Sequence, residues 1–183
     1  MQVEIGCRSL LEPFETTSFA SLVDTVYADK VFSQARIQVP TVVPVRTLLE
    51  KLFLLHEEFH KPKDKVRVDR LSRHLYDVHQ LIKAGVGNSL LENDDLYATI
   101  VNHRYAFSRI QGVNYNLHHP IHLNPLPPLA FEAVWKKDYA IMQEQMIYGT
   151  SPSYEDMSHE IKQFLTQLKI KNGNLTFNFP IPQ

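Results

Sequence analysis

Residues 46–60 read Arg46-Thr-Leu-Leu-Glu-Lys-Leu-Phe-Leu-Leu-His-Glu-Glu-Phe-His60, and this stretch decides how the chain folds. Its leucines recur at helical spacing from Leu48 and Pro62 stops the repeat, which predicts a helix over 45–60. Lys51 lies inside the leucine row. Because a charge among apolar side chains is costly unless it is paired or used, Lys51 is a candidate site residue.

A second helix is predicted over 69–84, where apolar residues keep helical spacing until Gly85 follows. It carries Arg73 and Asp77 four residues apart. Further helices are predicted over 89–108, 129–148 and 153–169. The helical repeat from Trp135 to Met146 predicts core positions, and the charged segment 61–69 predicts a mobile loop.

Short extended segments precede the helices. Residues 2–7 alternate polar and apolar side chains and predict a strand, while 36–43 is rich in β-branched residues but holds Pro40, which favours an edge strand. Residues 18–28 are ambiguous between helix and strand. We therefore predict a mostly helical α+β chain, with the end of a sheet over 1–44 and a five-helix bundle over 45–183. So small a sheet needs cover, so we expect dimerisation through its exposed edge or coverage by the C-terminal tail.

Composition is that of an ordinary globular protein of 183 residues, 44% hydrophobic and 21% charged, with a formal net charge of −1. This balance excludes overall attraction to nucleic acid but leaves a local basic site open. The single cysteine, Cys7, excludes an intramolecular disulfide and favours a cytoplasmic protein. The sequence has no apolar run near the roughly 20 residues that span a bilayer, and no secretory signal, so no membrane association is expected.

One alternative is a zinc hydrolase, because His56-Glu57-Glu-Phe-His60 matches the zinc-protease pattern of two histidines four residues apart with a glutamate base. Against it, Pro62 would leave His60 at a fraying helix end, and the longer signature's third histidine is absent. A plainer interpretation is a solvated helix end whose His60 and Lys61 suit the helix dipole.

A third zinc ligand would have to be guessed, with Asp77 or Glu92 as candidates. The histidines in the proline-rich loop, His118, His119 and His122, either bind a metal or are ordinary surface groups. Lys51 has a plain interpretation too, as a lysine that covers apolar surface with its stem. Arg73 and Asp77 would then be a routine surface pair.

A family resemblance changes this balance. Pro44-x-Arg46-Thr-x-x-Glu50-Lys51-x-x-x-Leu-His56-Glu-Glu, followed by Arg73-His74-x-Tyr76-Asp77, resembles the C-terminal half of the abortive-infection nucleotidyltransferase toxins of the AbiEii/AbiGii type. Further similar segments cover nearly the whole chain: Val3-Glu4-Ile5-Gly6-x-Arg8, His103-Arg104, Asp138-Tyr139-x-x-Met142 and Pro152-Ser-Tyr-Glu155.

The resemblance implies a small nucleotidyltransferase-like sheet with an appended helical domain. It also implies transfer of a nucleotide from an NTP to an acceptor such as the end of a tRNA, in a toxin–antitoxin or phage-defence system with an antitoxin partner. Lys51 would contact the triphosphate, and Asp77 would act as a base or positioning group oriented by Arg73 and His74. Glu4 would be a weakly matched third acid facing metal ions. Arg46 and Arg104 would join Lys51 and Arg73 in one phosphate-binding patch if their helices converge.

The family's Gly-Gly-(Ser/Thr) turn and Asp-x-Asp pair, which hold the metal ions that bridge phosphate oxygens, do not occur in this sequence. Gly149-Thr150 is followed by no acidic pair, and Glu92-Asn-Asp94 follows no glycine turn. We therefore expect that the chain begins after the metal-binding half, that Mg²⁺ and NTP belong to the intact family member, and that this chain alone transfers no nucleotide. A non-catalytic module that binds RNA, nucleotide or an antitoxin is the main alternative.

Overall fold

The computed structural model describes residues 13–34, 36–171 and 174–182. Over these ranges the chain forms seven α-helices and a two-stranded antiparallel sheet, which confirms the predicted, mostly helical α+β class. The chain divides into two compact units, one ending at Val43 and the other beginning at Pro44. The strand predicted over 2–7 lies outside the described residues.

The first unit contains the sheet. Strand β1, Phe14–Phe19, pairs antiparallel with β2, Ile37–Val42, so that Phe14 lies opposite Val42 and Phe19 opposite Ile37. Helix α1, Leu22–Val26, follows β1 and begins where the Ser21 hydroxyl accepts the Asp24 amide. The ambiguous stretch 18–28 is thus the end of a strand and a short helix, and β2 lies where an extended segment was predicted.

Helix α2, Pro44–Phe59, is central to the second unit, and it packs against α3, α4 and α5, which span Ser72–Lys83, Val86–Leu90 and Asp94–Phe107. Its leucines Leu48, Leu49, Leu52 and Leu55 are fully buried. Removing such side chains from water is the main favourable term in folding, so the leucine spacing read from the sequence explains the position of α2. Helix α4 was not predicted.

Helices α6, Leu129–Met146, and α7, Tyr154–Lys171, pack against α3. The Ser153 hydroxyl accepts the Asp156 amide at the start of α7. Trp135, Tyr139 and Met142 are buried as predicted, but Met146 is 55% exposed. The core prediction was wrong there because α6 ends at this residue and the chain leaves the helix.

A glycine allows α4 and α7 to approach closely. Gly87 is buried in α4, and a Cβ atom at this position would lie 2.7 Å from the Phe164 ring of α7. Such a separation is shorter than carbon atoms tolerate, so glycine is the residue that fits here. Gly85, between α3 and α4, has a φ of +80°, a left-handed conformation that glycine adopts without steric cost.

The charged segment 61–69, which was predicted to be a mobile loop, is anchored to α2 through Glu58. The Glu58 carboxylate, 1% exposed, accepts hydrogen bonds from the Arg67 backbone N–H at 2.7 Å, the Arg67 guanidinium at 2.8 Å and the Lys61 ammonium at 2.7 Å. A buried carboxylate requires such donors, because they replace the hydrogen bonds that its charged oxygens would make with water. Glu58 thus fastens both ends of the segment.

The described C-terminal tail, 174–182, has no regular secondary structure but is fixed by Asn116. The side-chain amide of Asn116 donates to the Phe179 carbonyl at 2.9 Å and accepts the Phe179 N–H at 2.7 Å. The Phe179 ring stacks on Tyr105 with centroids 4.4 Å apart. In the described part of the chain no helix is long and apolar enough to cross a membrane.

Candidate functional site

Lys51 of α2 meets α3 at a partly open surface. Its Nζ donates to Asp77 Oδ2 at 2.7 Å and lies 3.5 Å from His74 Nδ1. The Lys51 side chain is 23% exposed and that of Asp77 is 43% exposed. The structure therefore brings three predicted site residues together, and Lys51 is a paired cation rather than a solvated one.

The electrostatics of this cluster keep His74 neutral. Partial burial lowers the pKa of His74 below its usual value, and the positive charges of Lys51 and Arg73 lower it further, while Asp77 opposes them. A neutral imidazole adds no repulsion next to the Lys51 ammonium. The arrangement leaves one ammonium and one carboxylate exposed to a ligand that approaches from solvent.

Asp138 of α6 fixes the start of α3, which carries these residues. Its Oδ1 accepts the Arg70 N–H at 2.7 Å, and its Oδ2 accepts the Ser72 N–H at 3.0 Å together with the Ser72 hydroxyl. The first amides of a helix lack partners within the helix, and a carboxylate also favours the positive end of the helix dipole. Arg70 has a φ of 60°, in the left-handed region. Arg73, in the first turn, is exposed.

A second polar cluster lies on the α5 side of α2 and is buried. Glu57 is 1% exposed and its carboxylate accepts both Nε and Nη2 of Arg104, the former at 2.8 Å. His118 Nε2 donates to the same carboxylate at 2.9 Å. The predicted phosphate ligand Arg104 is therefore committed to an acid on the neighbouring helix. The interpretation of this region as a solvated helix end was wrong.

The protonation states follow from these contacts. Burial acts to raise the pKa of Glu57, but the hydrogen bonds from Arg104 and His118 outweigh it, so that this pKa lies below its usual value. Burial lowers the pKa of His118 despite the opposing effect of Glu57. Glu57 is thus a carboxylate and His118 a neutral donor at neutral pH, which suits a structural role.

The zinc interpretation finds no support here. His56 Nδ1 accepts the Asn124 N–H at 3.1 Å, and burial lowers the pKa of His56 to about 2. His60 lies beyond the end of α2, and its Nδ1 donates to the His56 carbonyl at 2.7 Å. Across the described ranges no group of three or more His, Cys, Asp or Glu side chains could hold a metal ion, and this applies to the loop histidines as well.

The remaining predicted cation, Arg46, is 2% exposed and its Nε donates to Glu50 Oε1 at 2.9 Å. Arg46 also acts on His103 of α5: partial burial lowers the pKa of His103, and the charge of Arg46 lowers it further. The predicted basic patch is therefore divided into paired groups, with Lys51 facing α3 and Arg46 facing α5. Glu4 lies outside the described residues.

Two site features were not predicted from the sequence. Asp138 was noted only as part of a similar segment, and its capping of α3 spans 66 residues, which no local pattern reveals. The Glu57–Arg104 pair was missed because the zinc-protease pattern and the position at the helix end both suggested an accessible acid. No local pattern in the sequence signals the burial of Glu57, because its partner Arg104 lies 47 residues away.

Comparison with known proteins identifies the family. The family model described as nucleotidyl transferase AbiEii toxin, Type IV TA system, matches residues 1–167, more than half of the chain. The chain matches no curated protein and no solved structure. The match agrees with the motif resemblance around Lys51 and Asp77. The chain belongs to the AbiEii nucleotidyl transferase toxin family.

Proposed function

We propose that this chain serves nucleotidyl transfer, with Lys51, His74 and Asp77 handling the phosphates of a nucleoside triphosphate. The observation that carries the proposal is the 2.7 Å contact between Lys51 Nζ and Asp77 Oδ2, which joins two helices at a partly open surface. Both residues match positions that the family resemblance associates with the chemistry. Membership of a nucleotidyl transferase toxin family supports the reaction class.

Lys51 is suited to a polyphosphate. Its side chain is 23% exposed and its Nζ lies 2.7 Å from Asp77 Oδ2, so the compact ammonium group has a fixed position and three donors. Asp77 is 43% exposed, so an incoming phosphate can reach the ammonium from the solvent side. The bound phosphate would share Lys51 with Asp77. Because the pKa of His74 is lowered, the imidazole adds no charge at this point.

In the proposed reaction the hydroxyl oxygen of the acceptor attacks the α-phosphorus of the NTP. The new oxygen–phosphorus bond forms while the bond to the β-phosphate oxygen breaks, and pyrophosphate leaves with the electron pair. Asp77 takes the hydroxyl proton, and Arg73 and His74, from the preceding turn, orient it. Lys51 stabilises the charge on the leaving pyrophosphate. The proposed acceptor is an RNA end such as that of a tRNA.

Mg²⁺ is the cofactor that the resemblance implies, and it would neutralise part of the charge on the phosphates when bound. The described residues do not fit it, because none of their His, Cys, Asp and Glu side chains form a group of three that could hold a metal ion. The Asp77 carboxylate is directed at Lys51. No step above passes through a metal, and we propose that any Mg²⁺ is held by carboxylates other than these, with Glu4 as the expected contribution from this chain.

Nucleotide titration tests the proposal. ATP or CTP is titrated against the chain by calorimetry, with and without Mg²⁺, and Lys51→Ala is expected to weaken binding about 10-fold or more, because a charged hydrogen bond contributes about 1.5–3 kcal/mol. Lys162→Ala, which removes an exposed lysine on α7, is the matched control. Arg46 and Arg104 each form an ion pair with a glutamate, which would have to break before the arginine could bind phosphate. Substitution of either arginine should therefore change the affinity for nucleotide less. Equal affinity of wild type and Lys51→Ala would refute the proposal.

A second candidate is a non-catalytic module that binds RNA, nucleotide or an antitoxin. It is favoured by the lack of a metal-holding group within the described residues. The nucleotide titration above, with and without Mg²⁺, separates the two candidates, and incubation of the chain with labelled NTPs, Mg²⁺ and total tRNA tests whether the chain alone transfers a nucleotide. We expect no labelling by this chain alone, whereas time-dependent labelling would identify it as a complete transferase.

The partners we propose are an antitoxin and a second copy of the chain at the sheet edge. Apolar side chains of the first unit support a covering partner, since Phe19 is 45% and Ile37 62% exposed. Light scattering should therefore give a mass above that of one chain. A monomer at high concentration would exclude the dimer and leave the antitoxin as the candidate for this surface.

A further inference from the structure

A cleft of about 360 Å³ lies between the start of α3 and the C-terminal half of α6. Its cationic side is formed by Arg70 and Arg73 of the α3 end, and its apolar side by Ile141, Met142 and Met146 of α6, which also contributes Gln145. A volume of this size is at the lower end of pockets that bind small molecules. It can hold a single nucleotide unit but not a duplex.

The chemistry of the cleft matches a nucleoside with its phosphate. Guanidinium groups bind phosphate oxygens with two hydrogen bonds and also stack on flat bases. Apolar side chains offer a surface for the face of a base, and an amide can donate to and accept from its edge. The one acid in the cleft, Asp138, already accepts hydrogen bonds on both oxygens from the start of α3. The net charge of the cleft is therefore positive.

The cleft is also held in place for a ligand. Asp138 fixes the backbone of Arg70, whose φ of 60° places a non-glycine residue in the left-handed region. Such conformations cost free energy and concentrate at functional sites. The backbone on the cationic side of the cleft is thus fixed, while Ile141 at 44% and Met146 at 55% remain exposed for contact.

The position of the cleft relative to Lys51 sets its role. Arg73 and Asp77 lie one turn apart on α3, between two neighbours: α2, which supplies Lys51, and α6, which packs Tyr139 beside Tyr76 at 6.4 Å. The cleft lies on the side of α3 that faces α6, and its lining residue Arg73 is one turn before Asp77.

From this geometry we infer that the cleft between α3 and α6 binds the 3′-terminal nucleoside of a single-stranded RNA acceptor, one turn of α3 away from Asp77. The inference rests on the proposed function for the roles of Lys51 and Asp77. Arg70 and Arg73 contact the phosphates next to the terminal nucleoside, and the base lies on Ile141, Met142 and Met146. The attacking oxygen, the departing pyrophosphate and the transferred proton are those of the reaction given above.

Cross-linking tests the location. A single-stranded RNA of nine nucleotides, with 4-thiouridine at its 3′ end, is irradiated with the chain and the adduct is mapped by mass spectrometry. We expect adducts within residues 138–146. Adducts confined to other elements, or the same adduct when the 4-thiouridine is moved to the 5′ end, would overturn the inference.

Binding of the same RNA, followed by fluorescence polarisation, tests the residues. Ile141→Glu and the double variant Arg70→Ala/Arg73→Ala are expected to weaken binding at least 10-fold, and Lys162→Ala less than 2-fold. The double variant should also reduce the slope of log affinity against log salt by about 1.4, because each phosphate contact on a single strand contributes about 0.7. All the substituted residues are exposed, so the variants should fold. Unchanged affinity and slope would refute the inference.

ATP titration of the same variants separates this inference from the proposed function. If Lys51→Ala loses its affinity for ATP while the cleft variants keep their affinity for both ATP and RNA, the inference fails and the proposed function stands. If the wild type binds no ATP but its cross-link maps to the cleft, the RNA site is supported and the proposed role of Lys51 fails.

Discussion

Replacement of Glu57 by glutamine is the sharpest test of how the second unit is stabilised. Glu57 is 1% exposed and Arg104 16% exposed, so Glu57→Gln leaves a nearly buried guanidinium without its counter-charge. Breaking a buried ion pair costs about 3–5 kcal/mol, and the residual exposure of Arg104 favours the lower end. For a chain of this size about 3 kcal/mol corresponds to a fall in Tm of roughly 6–12 °C.

The assay uses Trp135, the single tryptophan, which is fully buried in the second unit, so its fluorescence in urea follows unfolding of that unit. Arg104→Met alone should cost a similar amount, and the double variant much less than the sum, since no unpaired charge remains. Glu155→Gln is the control, because its partner Lys136 is 41% exposed and the pair lies at the surface. Additive effects, or a loss below about 1 kcal/mol for Glu57→Gln, would refute the buried pair.

Three further predictions concern other positions. Burial lowers the pKa of His56 to about 2 from 6.5, so below pH 6.5 the unfolded chain takes up a proton that the folded chain does not. This group should therefore lower the free energy of unfolding, measured in urea, by about 2 kcal/mol between pH 7 and pH 5. If the His56→Gln variant lost as much stability over the same pH range as the wild type, this prediction would be contradicted. Gly87→Ala should destabilise by about 1–3 kcal/mol through contact with Phe164, and Phe164→Leu in the same chain should recover part of the loss, whereas two additive losses would argue against the contact. Asp138→Ala should cost about 1–2 kcal/mol and speed hydrogen exchange at Ser72, while unchanged exchange would show that the cap is dispensable.

Much of the second unit follows from the sequence because its determinants are local. The leucine row and Pro62 predict α2 over 45–60, and the helix spans Pro44–Phe59. The spacing around Arg73 predicts α3 over 69–84, and the helix spans Ser72–Lys83, beginning later because Asp138 caps it there. The predicted meeting of a cation on the first helix with an acid on the second is present as Lys51 and Asp77.

What the sequence did not predict depends on contacts between distant residues. The packing of α5 on α2 decides whether Glu57 faces water or Arg104, which lies 47 residues further along the chain. A short motif of adjacent residues contains no information about such a distant partner. The segment 61–69 appeared free for the same reason, since its anchor Glu58 is one more acid in a polar run. The order of β1 and α1 was ambiguous because both are short and exposed, so that no periodic apolar face distinguishes them.

The attachment of the C-terminal tail has a practical consequence for work with this protein. Asn116 forms two hydrogen bonds with the main chain of Phe179, and the Phe179 ring stacks on Tyr105. The last residues therefore cover an aromatic surface. A chain shortened before residue 176, or joined there to an affinity tag, would expose those rings to water and invite self-association. Fusions at the N-terminal end would leave the Asn116–Phe179 attachment intact.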